Sequence, residues 1–384
     1  LGNNERFKRF CSLCHEKGFA VVLDAVFNHT GRDFFAFKDI RQKGQYSPYK
    51  DWYVNIDFSR RSDEGDCFEY EGWAGCKDLV KLNVDNDAVR EHLFGAVKMW
   101  IEEFAIDGLR LDAADVLSKT FLDALASFCR SIKSDFWLMG EVVHGDYSEW
   151  ARNGRLDSVT NYQMYKSLWS CLNDRNMYEL SYNLDREYNA ESGMYKDIAL
   201  YNFADNHDVN RAVSALTSPE RHLHLLYGLL FTIPGIPSVY YGSEYGIRGM
   251  RKVDGDYELR PPLPPFAQLP DFTQPGFDAG FIHTSIETFA KIRRSRPALQ
   301  RGSYRQEFIA NRQFAFWREC SEERILIIVN SDFGQGFIFL PSVPAGEYES
   351  LTDGTVYHSD NLKGLQLAPC SILILRQGVN ASDS

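Results

Sequence analysis

Six short apolar, β-branched runs, spaced by segments of helical periodicity, constrain this chain more than any other feature. The runs are FAVVLDAV at 19–26, a second at 106–112, FWLMGEV at 136–142, a short one near 158–162, ALYNFAD at 199–205 and GIPSVYYG at 235–242. Between them, apolar residues return every three or four positions. Segment 88–104 carries Val89, Leu93, Val97, Trp100, Ile101 and Phe104 on one side, and further helices are predicted over 4–17, 119–133, 163–190, 218–232 and 282–296. Ser218-Pro219-Glu220 reads as an N-cap with proline in the first turn. Strand followed by helix, repeated six times, predicts a parallel sheet covered by helices. At 384 residues and 44% hydrophobic content, the chain can bury a core of that size.

Two segments break the rhythm: an aromatic-rich insertion at 31–84 and a proline-studded loop at 248–276. From about residue 302 the texture changes. QFAFWRE, RILIIVN, GFIFLP and SILILR read as short strands with turns and no helices between them, a separate antiparallel β domain over 302–378.

The 42 basic and 53 acidic residues give a net charge of −11 without a basic stripe, which argues against nucleic-acid binding. No run approaches the length of a membrane span. Eight scattered cysteines fit reduced thiols in the cytoplasm better than a disulfide framework. Cys11-Ser-Leu-Cys14-His15 has the spacing of a c-type haem attachment. The stronger reading places Phe7, Phe10, Cys11 and Cys14 on the buried stripe of helix 4–17, ended by Gly18.

The stretch IDGLRLDAADVL, 106–117, puts Arg110 and Asp112 inside a buried strand, two residues apart and therefore on one face. A buried charge needs a partner. Other polar oddities also fall at the C-terminal ends of the predicted strands: Asp24 to His29, Glu141, and His207 with Asp208. In a (β/α)8 barrel those ends form one rim, where catalytic groups gather. One ionised and one protonated carboxyl are what glycoside hydrolysis needs.

The chain resembles the α-amylase family of glycoside hydrolases. Asp24-Ala-Val-Phe-Asn28-His29, Gly108-Leu-Arg110-Leu-Asp112-Ala, Gly140-Glu141-Val and Phe203-Ala-Asp-Asn206-His207-Asp208 are similar to the family's four conserved blocks, in family order. The resemblance covers nearly all of residues 1–378. It implies a TIM barrel over 1–300, an irregular domain inserted at 31–84 and a C-terminal antiparallel β-sandwich over 302–378. It makes Asp112 the nucleophile, Glu141 the general acid/base and Asp208 the third carboxylate. His29, Asn206 and His207 become sugar-binding residues, and Arg110 holds Asp112 in its ionised form. The implied substrate is a starch-type oligosaccharide or polysaccharide, cleaved at α-1,4 and possibly α-1,6 bonds with retention through a covalent intermediate. Glucan transfer and, with the carboxylates all present, less readily a non-catalytic binding role are the alternatives.

Departures from the family pattern add detail. Asp115 and Val116 stand where calcium-binding members often carry Lys-His, and Lys81 in Leu79-Val80-Lys81-Leu82-Asn83 replaces an aspartate. No metal or other cofactor is expected, and the pattern is closer to the cyclomaltodextrinase and neopullulanase branch. Because only six barrel strands are found and the first helix resembles the one after the family's second strand, the reading expects a barrel lacking its first strands, an N-terminally truncated stretch. Trp52, Tyr53, Tyr70, Trp73, Tyr147 and Trp150 admit two readings, sugar-stacking platforms or local core. Oligomeric state is not legible.

Overall fold

The computed structural model describes residues 2–378 apart from 153, 254, 266, 267 and 269–277, so the end of the proline-studded loop lies outside the described residues. The chain divides into two compact units, Leu1–Thr160 and Asn161–Ser384.

The first unit opens with α1 (Asn4–Glu16), capped by Asn3, whose side chain accepts from the Arg6 amide. Gly18 ends it with φ +78°, donating its amide to His15. Cys11 is buried as expected, but Phe10 is 54% exposed, so the stripe is narrower than its periodicity predicts. The packing contact is made instead by Phe7, edge-on to Phe104 at 5.1 Å. His15 Nε2 is bonded to Asp107 at 2.8 Å.

Then follow β1 (Val22–Ala25), β2 (His29–Gly31), α2 (Phe35–Lys43), β3 (Leu79–Lys81), α3 (Asp87–Phe104), β4 (Gly108–Leu111), α4 (Lys119–Ile132), β5 (Trp137–Gly140) and β6 (Ser158–Val159). Four of these strands form a sheet in the order β1-β4-β5-β6 with parallel pairings, Asp24 beside Arg110 and Arg110 beside Met139. β4 can lie this close to β5 because residue 108 is glycine: a Cβ there would meet the Trp137 carbonyl oxygen at 2.4 Å. The insertion is closed at its base by the antiparallel β2–β3 pair. It is less irregular than expected, since α2 supplies Phe37 to a cluster with Tyr53, Phe68 and Tyr70 at 4.9–5.7 Å.

The second unit begins with α5 (Tyr162–Asn173) and α6 (Met177–Tyr188), two helices where the apolar spacing suggests one. The break falls at Arg175, which is left-handed at φ 48°, and Asn176, which N-caps α6. β7 (Tyr201–Phe203), α7 (Ala212–Ala215), α8 (Pro219–Thr232) and β8 (Ile236–Ser238) follow, with β7 and β8 parallel. Ser218 does precede α8, but its hydroxyl makes no capping bond. The C-terminal end of α8 is held by Arg293, from α9 (Ala279–Ser295), which donates to the Phe231 and Ile233 carbonyls. Arg318 donates to Thr232. Both guanidiniums are buried, and cations suit the negative end of a helix.

After α10 (Pro297–Arg301) come β9 (Ser303–Ile309), β10 (Gln313–Glu319), β11 (Arg324–Asn330), β12 (Gly336–Ile338), β13 (Glu347–Ser350), β14 (Val356–His358), α11 (Ser359–Leu362), β15 (Leu365–Leu367) and β16 (Ser371–Gln377). They form an antiparallel sheet ordered β14-β13-β16-β11-β10-β9 and a smaller β12–β15 pair. Trp317, Leu326, Ile328 and Leu375 of the larger sheet share a core with Ile338, Leu365 and Leu367 of the smaller. The single turn α11 departs from the expected absence of helix, its N-terminus fixed by Asn361, which accepts from the His358 amide. No helix among the described residues is long and apolar enough to cross a membrane.

Candidate active site

In the first unit the sheet delivers four charged groups to one place. Asp24 leaves from β1, Arg110 from β4, Asp112 from just beyond it and Glu141 from just beyond β5. The parallel ladder runs on past the strands, with the Asp112 amide donating to Ala25 at 3.1 Å and the Glu141 amide to Leu111 at 2.9 Å. Arg110 is the hub. Its Nη1 donates to Asp24 Oδ1 and Asp112 Oδ1, both at 2.8 Å, and its Nη2 to Glu141 Oε2 at 2.7 Å.

Burial works against the Arg110 charge, but Glu141, Asp24 and Asp112 outweigh it and raise its pKa further above the ordinary guanidinium value. The sequence reading gave Arg110 to Asp112 alone. The planar fork serves three carboxylates because its five donors diverge in one plane. Asp24 is a partner that reading did not single out.

Glu141 receives a second donor, the Ala113 amide at 3.2 Å. Ala113 reaches it by adopting a left-handed conformation, φ 46° and ψ 44°. Non-glycine residues rarely sit there unless surrounding structure holds them, and such strain collects at functional sites. His29 follows β1 by way of Asn28. Burial lowers the His29 pKa, with the nearby Asp112 charge opposing, so the ring is neutral near pH 7. Asn28 Nδ2 lies 3.3 Å from His29 Nδ1.

Of the six aromatics with two readings, Trp52, Tyr53, Tyr70, Tyr147 and Trp150 are buried at 9% exposure or less. They are local core. Trp73 alone stays half-buried, and its indole faces the His29 imidazole with centroids 5.6 Å apart.

The second unit brings together the other three site residues. Past β7, the Asn206 side chain accepts from the Asp208 amide at 2.8 Å and donates to the Tyr162 hydroxyl at 3.2 Å. His207 Nε2 lies 3.2 Å from Asp208 Oδ2. Arg260 clasps the pair, bonding Asp208 Oδ1 at 3.0 Å and the His207 carbonyl at 3.1 Å. Sequence reasoning missed Arg260 because it lies in the proline-rich loop, without periodic context.

The start of this segment is tied down by buried Asp205, which accepts from Ser243 Oγ at 2.6 Å and the Ala212 amide at 2.9 Å. Burial pushes the Asp205 carboxyl up to about 6, against those two donors.

Residues 1–261 match the family model for the α-amylase catalytic domain. A cyclomaltodextrinase of Thermoanaerobacter pseudethanolicus is 29% identical over 378 residues, covering 98% of this chain and 63% of the relative. Neopullulanase 2 of Thermoactinomyces vulgaris is 29% identical over 390 residues, with the same two coverages. A solved cyclomaltodextrinase structure superposes with a TM-score of 0.85 at 27% identity, over 98% of this chain and 63% of that one. The chain thus spans about three fifths of the length of these relatives. Its fold is that of a family with a TIM-barrel catalytic domain and a C-terminal antiparallel sheet domain. With the catalytic-domain model matched over 261 of its 384 residues, the chain belongs to the α-amylase family of glycoside hydrolases.

Proposed function

We propose that the chain hydrolyses α-glucosidic bonds of starch-type oligosaccharides with retention of configuration. In this reading Asp112 attacks the anomeric carbon while Glu141 protonates the leaving oxygen. Glu141 then takes a proton from the water that releases the glycosyl-enzyme. Asp208 stabilises the cationic sugar, and His29, Asn206 and His207 bind its hydroxyls. The observation that carries the proposal is the Arg110 fork shared by Asp112 and Glu141. It holds Asp112 Oδ1 and sets a positive charge beside the group that must act as nucleophile. At Glu141 it holds Oε2, which also accepts from the Ala113 amide, so the carboxyl is fixed in place for its exchange of protons.

The likeness to cyclomaltodextrinase and neopullulanase supports maltooligosaccharides and cyclic maltodextrins as the substrate class. Product analysis on maltotriose, cyclodextrin and pullulan separates hydrolysis from glucan transfer, which differ only in whether water or a sugar captures the intermediate. Eight free thiols accord with a cytoplasmic location.

The test is a pair of substitutions. Asp112→Asn abolishes turnover while leaving binding and the melt nearly intact. Glu141→Gln loses least activity on glycosyl fluorides, whose leaving group needs no proton, and there accumulates a covalent sugar adduct, because no base remains to activate water. A β anomer as the first-formed product in proton NMR refutes retention and both roles.

A further inference from the structure

We propose that Trp73 is a positioning residue that fixes the His29 imidazole for the sugar undergoing cleavage; the proposal rests on the reading of His29 as a substrate contact. The indole and imidazole planes lie 25° apart with centroids at 5.6 Å, so Trp73 backs one face of the ring. On the edge of the ring, Asn28 Nδ2 points at Nδ1 from 3.3 Å. An amide nitrogen can only donate, so Nδ1 accepts and the proton of the neutral ring sits on Nε2. With one face and one nitrogen engaged, the orientation of the Nε2–H donor is set before substrate arrives.

The backbone under Trp73 is built to hold it there. Residues 72–76 turn tightly, with the Gly75 amide donating to Gly72 and the Cys76 amide to Trp73. A Cβ on Gly72 would meet the Cys76 carbonyl oxygen at 2.1 Å, so only glycine fits. Ala74 is left-handed at φ 51° and ψ 28°, and Gly75 follows at φ 81°. A left-handed alanine is strained and persists only where its surroundings impose it. The turn is also bridged to the strand pair that carries His29: Gly72 pairs with Val80, one residue from Lys81, the cross-strand partner of His29. Both rings therefore ride on one small sheet, and the contact between them is fixed by local backbone geometry.

A double-mutant cycle on maltotriose hydrolysis tests this. Trp73→Ala and Trp73→Leu lower kcat/KM by about ten- to a hundredfold, the cost of a misplaced contact near the chemistry. Trp73→Phe, which keeps a ring face, restores most of the loss. In a His29→Ala background, Trp73→Ala costs nothing further, because its effect passes through the missing imidazole. Losses that multiply in the double variant overturn the proposal, as does equal activity of the Leu and Phe variants. Where Trp73→Ala fails to fold, the Phe and Leu variants carry the comparison. An impaired His29→Ala beside an unaffected Trp73→Ala and Trp73→Leu sinks this inference alone, whereas a fully active His29→Ala sinks it together with the substrate role given to His29.

Discussion

Glu187, in α6, is a carboxyl with no exposure, and its Oε2 accepts a single strong bond, from Asn161 Nδ2 at 2.8 Å. Burial pushes it up to about 7 against that bond. The folded chain therefore holds a proton that the unfolded chain releases near pH 4.5. Stability from this group is fully present below that pH and is lost as pH rises through 7. The melting temperature should fall across this window. Glu187→Gln, which keeps an acceptor for Asn161, should flatten the slope and stabilise the protein at pH 8 by on the order of 3 kcal/mol at most. Asp205 contributes a smaller slope of the same sign, so some fall remains in the variant. A Gln variant melting with an unchanged pH profile contradicts the assignment. At this scale the sequence was legible wherever a residue broke its local pattern, as Arg110 and Asp112 do inside an apolar strand. Asp205, Arg260 and the difference between Trp73 and five buried aromatics were not legible, since each depends on partners distant in the chain.

Strands and helices were read well because each carries one clear period, and the six parallel strands fall inside the six predicted runs. The failures have local causes. A left-handed Arg175 splits one apolar stripe into α5 and α6, and β13 to β15 are too short for alternation to register. Gly108 and Gly140 sit in the conserved blocks for steric reasons that only the fold reveals. A Cβ on Gly140 would meet Leu156 and Ala114 side-chain carbons at 2.7 and 2.8 Å, whereas one on Gly108 meets backbone. Gly140→Ala should cost about 1–3 kcal/mol in a denaturant melt. Gly108→Ala should cost more, because the Trp137 carbonyl cannot step aside. Equal, near-zero costs would show that the strands can separate.

The β2–β3 pair carries a related prediction. Lys81 Nζ bonds Glu71 Oε1 at 2.8 Å, and Glu71 Oε2 accepts from Asn55. A hard dication needs several oxygens where this ammonium sits, so calcium is not expected beside Lys81. Dialysis against a chelator should leave activity and melting temperature unchanged, and a loss restored specifically by calcium contradicts this.

At the scale of the molecule, charge and apolar surface pull in opposite directions. The net charge of −11 keeps copies apart at low ionic strength. Yet β1 is laddered on one side only among the described residues, and Phe10, Leu13, Phe19, Val22 and Val26 along α1 and β1 are 38–64% exposed. An open strand edge beside apolar side chains is a template for pairing with another chain. Salt shortens the Debye length to about 3 Å at 1 M, and sulfate strengthens apolar burial. The colloidal behaviour of this 384-residue chain should therefore invert with ionic strength. In static light scattering the second virial coefficient should pass from positive in dilute buffer to negative in molar sulfate. Val22→Lys with Val26→Lys should keep it positive, because a lysine along an open edge charges the surface that a second strand would otherwise cover.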